Sequence, residues 1–446
     1  MGRNDTIAAI ATAPGRGGIG VVRVSGPEVP AISEAVLGHL PNARQAALAT
    51  FRAADGAPID QGLALYFSAP HSFTGQHVLE LHGHGGTAVM GLLLQRCLAL
   101  GARLAEPGEF TQRAFLAGKL DLAQAESVAD LIEASSAEGA LSAARSLVGE
   151  FSRQIQALVE GLIDVRMHVE ACVDFPEEEI DPADTGAISA KITAVHTTLS
   201  ALLDRAGQGA VLRDGLTVVL IGRPNVGKSS LLNRLAEQDV AIVTPIAGTT
   251  RDQVRATILI QGVPIHLVDT AGLRETDDPV EQIGIARTWQ AVAQASAVLL
   301  LTEAGEMLGA AEAAILAQVP RGLRMAWVYN KIDLHGHMPG MKAAGQEGSF
   351  RISALTGEGV DALKDWLLQV AGWRPGGEGV FMARARHLAA LRAALARLQV
   401  IHQSRLPFEL IAEELRLAQT DLSAITGEFS PDDLLGEIFS RFCIGK

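Results

Sequence analysis

The segment GRPNVGKS, Gly222–Ser229, limits more than any other what this chain can fold into. It follows an apolar run, Leu216–Ile221, and precedes leucines at helical spacing, Leu231, Leu232 and Leu235. A strand, a glycine-rich loop and a helix in this order allow backbone N–H groups and the helix N-terminus to surround a phosphate group. The lysine of the motif adds a positive charge, and its serine an oxygen ligand for Mg²⁺. The sequence therefore predicts a P-loop within an α/β domain.

Four further motifs follow the P-loop in a regular order: GTTRD at 248–252, DTAG at 269–272, NKID at 330–333 and SAL at 353–355. The first of these supplies a hydroxyl that can bind Mg²⁺, and the next brings a carboxylate and a backbone N–H toward a γ-phosphate. A carboxylate at Asp333 can accept both N1–H and N2–H of guanine, a donor pair that adenine lacks. Together the five motifs predict a Ras-like domain that selects GTP and hydrolyses it with Mg²⁺.

The predicted GTP site draws on all five motifs and on the loop before GTTRD. Ser229 and Thr250 are the predicted Mg²⁺ ligands within it. The complete predicted set is Asn225, Val226, Gly227, Lys228, Ser229, Ser230, Thr244, Pro245, Ile246, Ala247, Gly248, Thr249, Thr250, Asp269, Thr270, Ala271, Gly272, Asn330, Lys331, Asp333, Ser353, Ala354 and Leu355.

Leu273 follows the DTAG motif at a position where many small GTPases carry a glutamine that orients the attacking water. A leucine cannot polarise water, so another group must perform this step. The acidic segment that leads to Glu281 is either a solvated loop or the source of that group. Asn225 in the P-loop likewise either favours the turn or, with Gly248 and Thr249, supplies oxygens to a monovalent cation.

Charge and cysteine content narrow the classes of function. The net charge is −13, so a broad basic face for nucleic acid is not expected, and any RNA contact should be local or shared with a partner. Three cysteines lie far apart without metal-binding spacing, which favours a reducing cytoplasm. Because no apolar stretch reaches about eighteen residues, the sequence predicts no membrane insertion.

Changes of pattern along the chain predict four segments. Residues 1–118 alternate β-rich runs with helical stretches, which predicts an N-terminal α/β domain. Apolar residues recur at helical spacing over 119–209, and this pattern resumes over 377–446. Glycine-rich segments bound the nucleotide domain, 210–376. We therefore expect a mixed α/β and all-α multidomain protein, with the P-loop domain inserted into a split helical domain.

A few side chains outside the nucleotide domain are candidates for a second site. Arg23 and Glu80 interrupt otherwise apolar strands, so each needs a partner, either internal or a ligand. Lys119 lies at a predicted domain junction, where small-molecule sites tend to form. Cys443 is either a packed structural cysteine or a reactive thiol, because a short tail can reach another domain.

Several longer stretches then carry a resemblance to a known family. They are GRGGIGVVRVSG near the start, GEFTQRAFLAGKLDLAQAESVADLI in the middle, the GRPNVGKSSLLN, GTTRD and DTAGLR set, and the terminal FCIGK. Together they resemble the MnmE (TrmE) family of tRNA modification GTPases over essentially the whole chain. The resemblance implies an N-terminal domain that dimerises and binds a tetrahydrofolate derivative, a split helical domain and an inserted GTPase domain.

The resemblance also implies a partner and a reaction. Family members work with the flavoprotein MnmG, which carries FAD. The pair installs an aminomethyl or carboxymethylaminomethyl group at C5 of the wobble uridine (U34) of tRNA, and 5-formyl- or methylene-tetrahydrofolate donates the carbon. GTP and K⁺ draw two GTPase domains of a dimer together, and the potassium ions neutralise charge that develops during hydrolysis.

The same resemblance assigns roles to particular residues. The implied folate contacts are Arg23, Glu80, Lys119 and Lys446. The implied K⁺ ligands are Asn225, Thr244, Ile246 and Thr249. Glu281 would orient the attacking water, and Cys443 would be needed for modification. Leu355 departs from the common pattern, because many G proteins have a lysine there that supports the guanine.

A ribosome-assembly GTPase that binds RNA without group transfer is the main alternative. Such a protein should carry a basic KH-like module, and none is visible in this acidic sequence. A signalling switch whose outer domains are scaffolds is a second alternative. Folate binding, together with analysis of the wobble nucleoside, separates both alternatives from a group-transfer enzyme.

Overall fold

A computed structural model gives the fold of the chain at the level of side chains. It describes residues 5–174, 182–238, 255–269, 289–305, 318–320, 322–336, 338–341, 348–374, 379–404, 406–428, 432–440 and 442–445. The chain divides into two compact units. The first unit consists of Met1–Ile132, Ser146–His196 and Ala393–Lys446, and the second of Glu133–Arg145 and Thr197–Arg392.

The strands and helices used below are numbered in chain order. The strands are β1 (Ile7–Ile10), β2 (Gly17–Ser25), β3 (Ala46–Arg52), β4 (Pro58–Phe67), β5 (Val78–Gly85), β6 (Arg103–Leu104), β7 (Leu216–Gly222), β8 (Arg255–Ile260), β9 (Val263–Asp269), β10 (Ala297–Glu303), β11 (Arg324–Asn330), β12 (Gly340–Met341) and β13 (Ser349–Arg351). The helices are α1 (Val29–Leu37), α2 (Thr87–Ala99), α3 (Glu109–Leu116), α4 (Leu122–Glu133), α5 (Ala137–Leu147), α6 (Glu150–Asp174), α7 (Pro182–Asp214), α8 (Lys228–Gln238), α9 (Ile332–His335), α10 (Val360–Ala371), α11 (Ala385–Gln403), α12 (Phe408–Thr426) and α13 (Asp432–Ser440). No helix in the described ranges combines the length and apolarity that a membrane span needs.

The first unit contains a six-stranded sheet in the order β3-β4-β5-β2-β1-β6. Its neighbouring strands are antiparallel except for the parallel pair β1 and β6. Side chains along a strand point to opposite faces in turn. Val22 and Leu81, which face each other across β2 and β5, are therefore buried with α1 and α2 on one face. Arg23 and Glu80, the next pair in register, lie on the other face.

Two helix pairings complete the first unit. Helix α6 packs along α12, and each helix buries one stripe of apolar residues, such as Leu158 and Leu162 on α6 and Leu415 and Leu422 on α12. Neither amphipathic helix could bury that stripe alone. Helix α13 shares a second apolar cluster with the start of α4, and this cluster includes Phe442 just beyond α13. The second pairing anchors the C-terminal tail.

The second unit contains a seven-stranded sheet in the order β12-β13-β11-β10-β7-β9-β8. Its five central strands are parallel, and β12 and β8 are antiparallel edges. Val218 and Leu220 of β7 belong to the apolar cluster on one face, whereas Val219 and Ile221 belong to the cluster on the other. Burial on both faces is typical of a parallel sheet covered by helices.

Both sheets and the helices between and after them confirm the mixed α/β and helical fold class. The second sheet has the P-loop directly after β7, one of its five parallel strands, as the sequence predicts. The domain boundaries at residues 118, 209 and 376 remain predictions.

Candidate functional site

The P-loop lies where the strand order of the seven-stranded sheet reverses, between β7 and β10. Strand β7 is flanked by β9 on one side and by β10 on the other, both parallel to it. In open α/β sheets of this kind, ligands bind outside the carboxyl ends of the strands at this switch point. Asp269, the last residue of β9, stands opposite Leu220 of β7 and so reaches the same edge. We call residues 222–229, 269, 330–333 and 353–355 the nucleotide edge.

The backbone of the P-loop is closely packed against neighbouring motifs. Asn225 and Gly227 have left-handed backbones, with φ values of 64° and 96°. A Cβ atom at Gly222 would lie 2.5 Å from the carbonyl oxygen of Leu301, and one at Gly227 would collide with the side-chain amide of Asn330. Glycine is therefore required at both positions for the loop to approach its neighbours this closely.

Lys228 begins α8 and folds back over the loop. Its Nζ donates to the carbonyl oxygens of Gly222 at 2.7 Å and of Arg223 at 3.1 Å. The ammonium group is thus held at the loop and can exchange these carbonyls for phosphate oxygens. Ser229 and Ser230 follow in the exposed first turn of the helix, where backbone N–H groups have no partner within the helix.

Asn330 links three of the five motifs. Its side chain is buried, and only 2% of the residue is exposed. Nδ2 donates to the carbonyl oxygen of Val226 in the P-loop at 2.8 Å, and Oδ1 accepts the N–H of Ala354 in the SAL motif at 2.9 Å. The asparagine therefore sets the distance between the phosphate-binding loop and the predicted base-binding loops.

The two charged residues of NKID have different surroundings. Lys331 has a left-handed backbone, with φ of 65°, and its Nζ lies 2.6 Å from Oε2 of Glu303 at the end of β10. Hydrogen bonds from Lys331 and His335 lower the pKa of Glu303. Asp333 lies exposed in the first turn of α9. Sequence reasoning missed Glu303, although a carboxylate that ends a buried apolar strand was a usable signal.

The remaining predicted site residues fall into two groups, the SAL motif and those outside the described ranges. In the SAL motif, Ser353 and Ala354 are buried, whereas the side chain of Leu355 lies on the surface with 74% of the residue exposed. The predicted residues that lie outside the described ranges are Thr244, Pro245, Ile246, Ala247, Gly248, Thr249, Thr250, Thr270, Ala271, Gly272, Glu281 and Lys446. Their roles remain predictions.

In the first unit, Arg23 and Glu80 form an ion pair across neighbouring strands. Nε and Nη2 of Arg23 each lie 2.9 Å from Oε1 of Glu80, and the guanidinium carbon lies 6.0 Å from the ring centroid of Phe73 and 5.7 Å from that of Phe110. The other carboxylate oxygen, Oε2, lies 3.2 Å from Nε2 of His82. Both members of the pair keep part of their side chains open to solvent, so they remain available to a ligand.

The C-terminal tail reaches this ion pair. Nη1 of Arg23 donates to the carbonyl oxygen of Gly445 at 3.4 Å, and the N–H of Gly108 donates to that of Cys443 at the same distance. Ile444 forms an isolated antiparallel bridge with Pro107. The tail, residues 443–445, thus runs beside residues from the start of the chain.

Lys119 lies against the loop that carries Phe73. Its Cε would be 3.7 Å from a Cβ atom at Gly75, which has a left-handed backbone with φ of 76°. Its N–H donates to the carbonyl oxygen of Ala114 at 2.9 Å. We call Arg23, Glu80, Lys119 and the tail the Arg23 site. The fold therefore gathers three predicted side chains and the tail on the first unit.

The three cysteines are free, and two of them differ sharply in exposure. Cys97 is buried in α2, and burial raises the pKa of its thiol to about 12. Cys443 is exposed on the tail. A thiol needs access and thiolate character to react, so exposure makes Cys443 the better candidate of the two.

Family models match both parts of the chain. The model of the MnmE helical domain matches residues 122–443, and the model of the GTP-binding protein TrmE N-terminus matches residues 6–119. Together these matches cover nearly the whole sequence.

Individual relatives agree with the family models. The tRNA modification GTPase MnmE of Thiobacillus denitrificans is 60% identical over 444 residues, which cover 100% of this chain and 98% of that protein. The protein of the same name from an Azoarcus species is 59% identical over 443 residues, which cover 99% of this chain and 98% of that protein. A crystal structure of Era from Aquifex aeolicus is 26% identical, covers 43% of this chain and 68% of that chain, and has a TM-score of 0.28.

Proposed function

The chain belongs to the MnmE family of tRNA modification GTPases, and on that premise we propose that it is the GTP-hydrolysing subunit of a complex that modifies C5 of the wobble uridine (U34). As a member of the family it is an enzyme, a GTPase that acts in tRNA modification. The observation that carries the group-transfer part of the proposal is the contact between Arg23 and Gly445, because it joins the tail on which Cys443 is exposed to a cation–carboxylate pair. This membership favours tRNA modification over ribosome assembly.

The nucleotide edge offers groups that suit the phosphates, the guanine base and the Mg²⁺ ion of GTP. The P-loop amides and Lys228 would hold the phosphates, and Asp333 would accept the two N–H groups of guanine. Ser229 and Thr250 would hold Mg²⁺, which neutralises phosphate charge during hydrolysis. Asp269 at the tip of β9 would orient the water ligands of that ion. The buried bridge through Asn330 supports this arrangement, because it keeps the phosphate and base loops at a fixed separation.

Hydrolysis would depend on two groups, one that orients water in place of the glutamine absent at Leu273, and a cation in the position where other GTPases receive an arginine finger. Glu281 would orient the attacking water, and Asn225 with Thr244, Ile246 and Thr249 would hold K⁺, which supplies positive charge at the transferred phosphoryl group. The exposed, left-handed position of Asn225 in the P-loop supports the cation role. We expect GTPase activity to rise strongly in K⁺ and little in Na⁺, and Glu281→Ala to bind GTP yet hydrolyse it poorly. Equal rates in the two salts would contradict the cation role.

The Arg23 site suits a folate. A reduced folate carries hydrogen-bond donors on its pterin ring and carboxylates on its glutamate tail. Glu80 would accept donors of the ring, whereas Arg23, Lys119 and Lys446 would attract carboxylates or carbonyl oxygens. When bound, 5-formyl- or methylene-tetrahydrofolate supplies the one-carbon unit for the modification. The mixed charge and partial exposure of the Arg23–Glu80 pair support this assignment.

A homodimer would cover the open face of the six-stranded sheet. Leu48 and Leu63 are direct cross-strand neighbours on β3 and β4, and they are 70% and 44% exposed; Ile19 on β2 is 69% exposed. Exposed apolar side chains that adjoin one another, as Leu48 and Leu63 do, are typical of interaction sites. We propose that a second copy of the chain covers this face. We further propose that the dimer works in the cytoplasm in a complex with tRNA and with MnmG, which would contribute FAD.

The test combines folate binding with nucleoside analysis. Full-length protein should bind 5-formyl-tetrahydrofolate in calorimetry, and Arg23→Gln should weaken that binding by about ten-fold, as loss of a charge-assisted hydrogen bond predicts. Cells that carry only Cys443→Ser should lose the modified wobble nucleoside, whereas Cys172→Ser should keep it. If the protein does not bind folate and the Cys443→Ser cells keep normal nucleosides, the results would contradict the group-transfer proposal and favour a GTPase without group transfer.

A further inference from the structure

The SAL motif, residues 353–355, is a turn that closes on itself after β13. Ser353 is buried, its N–H donates to the carbonyl oxygen of Glu358 at 2.9 Å, and its Oγ accepts the N–H of Thr356 at 3.1 Å. These bonds set the shape of the turn. Its place on the nucleotide edge must come from contacts with other elements.

Arg234 joins this turn to the helix that begins at the P-loop. Its Nε donates to the carbonyl oxygen of Ala354 at 3.0 Å, and its Nη2 donates to that of Leu355. Arg234 belongs to α8, whose first residue is Lys228, so one guanidinium connects the phosphate-binding and base-binding parts of the edge. Two donors of a rigid planar fork on consecutive carbonyls fix the orientation of a turn as well as its distance.

Because the third residue of the motif is a leucine, the position of the turn depends more strongly on the contact with Arg234. Leu355 is 74% exposed and its side chain has no polar atom, so it cannot hold the turn in place by a charge or a hydrogen bond. On the other side of the turn, Asn330 accepts the N–H of Ala354. Asn330 and Arg234 thus hold the turn from its N–H side and its carbonyl side.

We propose that Arg234 is a positioning residue for guanine recognition, because it holds the SAL turn where backbone N–H groups can meet O6 of the base. The inference rests on the guanine site proposed above. Asp333 reads N1–H and N2–H of the base, whereas the turn reads O6. Loss of Arg234 therefore weakens the O6 contact and leaves the contacts of Asp333 in place.

Three nucleotides separate these contributions in full-length protein. IDP lacks the 2-amino group that Asp333 reads, whereas 6-thio-GDP keeps both N–H donors and replaces O6 with sulfur, a poorer acceptor. We expect Arg234→Ala to raise the dissociation rate of GDP by about ten-fold, since two charge-assisted hydrogen bonds to the turn are lost. The affinity ratio of GDP to 6-thio-GDP should shrink in this variant, and the ratio of GDP to IDP should not change.

Two further variants complete the experiment. Arg234→Lys should have an intermediate effect, because an ammonium group lacks the planar fork, and it carries the same comparison if Arg234→Ala lowers the melting temperature. Arg374→Ala is the matched control, an exposed arginine of the same unit whose Nη1 lies 3.1 Å from Oδ2 of Asp204. It should leave all three affinities unchanged.

The outcomes that contradict the inference are distinct. Wild-type dissociation of GDP from Arg234→Ala overturns it, and so does an equal loss of affinity for all three nucleotides. If the wild-type protein binds IDP as tightly as GDP, the proposed reading of guanine by Asp333 fails, and the inference fails with it.

Discussion

The nucleotide edge and the Arg23 site use different means to hold their parts together. At the nucleotide edge each part stands at the carboxyl end of a parallel strand, and a buried amide, Asn330, connects the loops through backbone groups. At the Arg23 site the parts are charged side chains on an open sheet face and a short tail that arrives from the other end of the chain. The first site takes its geometry from the sheet, whereas the second depends on a few contacts of a terminus.

Mutations at the two sites should therefore differ in their effect on stability. Changes at the nucleotide edge should alter chemistry and stability together, because the connecting bonds are buried in the second unit. Changes in the tail should weaken ligand binding at the Arg23 site and leave the fold of the first unit nearly intact. The four tryptophans, at residues 289, 327, 366 and 373, all belong to the second unit, so their fluorescence follows that unit alone.

The largest effect is expected for Asn330→Ala. The substitution leaves the carbonyl of Val226 and the N–H of Ala354 without their buried partner, which should lower the free energy of unfolding by about 2–4 kcal/mol. GDP affinity should fall with it. Urea unfolding followed by tryptophan fluorescence measures the change, with the exposed Asn233→Ala as control. Wild-type stability of Asn330→Ala would mean that the amide bridge does not hold the edge together.

A smaller, specific effect is expected for Asp333→Asn. An amide can donate to the carbonyl that xanthine carries in place of the 2-amino group of guanine, so GDP affinity should fall by roughly 100-fold while XDP affinity rises. Competition binding with both nucleotides measures the exchange. Asp361→Asn, at the exposed first turn of α10, is the matched control. Loss of both nucleotides without a gain for XDP would argue against a direct role of Asp333 at the base.

The substitution Gly445→Ala should affect only the tail. Gly445 has φ of 100°, and a Cβ atom there would collide with the carbonyl oxygen of Ile10 and lie 3.0 Å from Cα of Ala11. We expect folate affinity to fall by about ten-fold as the tail leaves Arg23, with little change in the unfolding of the first unit. Calorimetry with 5-formyl-tetrahydrofolate measures the affinity.

Gly436→Ala is the control for that substitution. Gly436 lies within α13 and has open space around its Cβ position, so alanine should be neutral or slightly stabilising there. A folate affinity that is unchanged by Gly445→Ala would show that the tail is not part of the site.

The smallest effect concerns acid sensitivity of the first unit. Burial alone would raise the pKa of Glu109, but hydrogen bonds from Arg103, the N–H of Glu106 and Arg113 outweigh burial and lower it from 4.5. Because the folded-state pKa is lowered, the ionised carboxylate stabilises the fold above the unfolded-state value, and this contribution is lost as the pH falls through the folded-state pKa. Glu109→Gln should therefore cost about 1 kcal/mol at neutral pH and flatten the acid dependence.

Hydrogen exchange of the β1 amides, corrected for intrinsic rates, measures this change in the first unit. The control is Glu413→Gln, which removes an exposed ion pair with Arg416 in the same unit. Exposed pairs contribute little, so this variant should match the wild type. If Glu109→Gln leaves the pH dependence of the stability of the first unit unchanged, Glu109 is not the source of its acid sensitivity.

The sequence predicted where the described nucleotide motifs lie on the strands and loops, because each motif is contiguous and each follows an apolar strand. The roles of their residues in nucleotide binding remain predictions. Strand β7, the P-loop and α8 lie where the pattern from Leu216 to Leu235 indicates, and Asn330 ends β11 as expected. Arg234 and Glu303 were not predicted. Arg234 lies on an ordinary helical stretch, and only the folded chain shows that its guanidinium reaches carbonyls 120 and 121 residues away.

The amino-acid sequence by itself determined the fold class, the order of the nucleotide motifs and the choice of guanine, because these depend on local periodicity and on short segments whose chemistry is self-contained. Only the tertiary structure decided that Asn330 bridges two loops, that Arg234 holds one of these two, the SAL turn, and that the tail meets Arg23 across 422 residues of chain. Such contacts depend on strand order, register and helix packing. Residue spacing along the chain contains no measure of those distances.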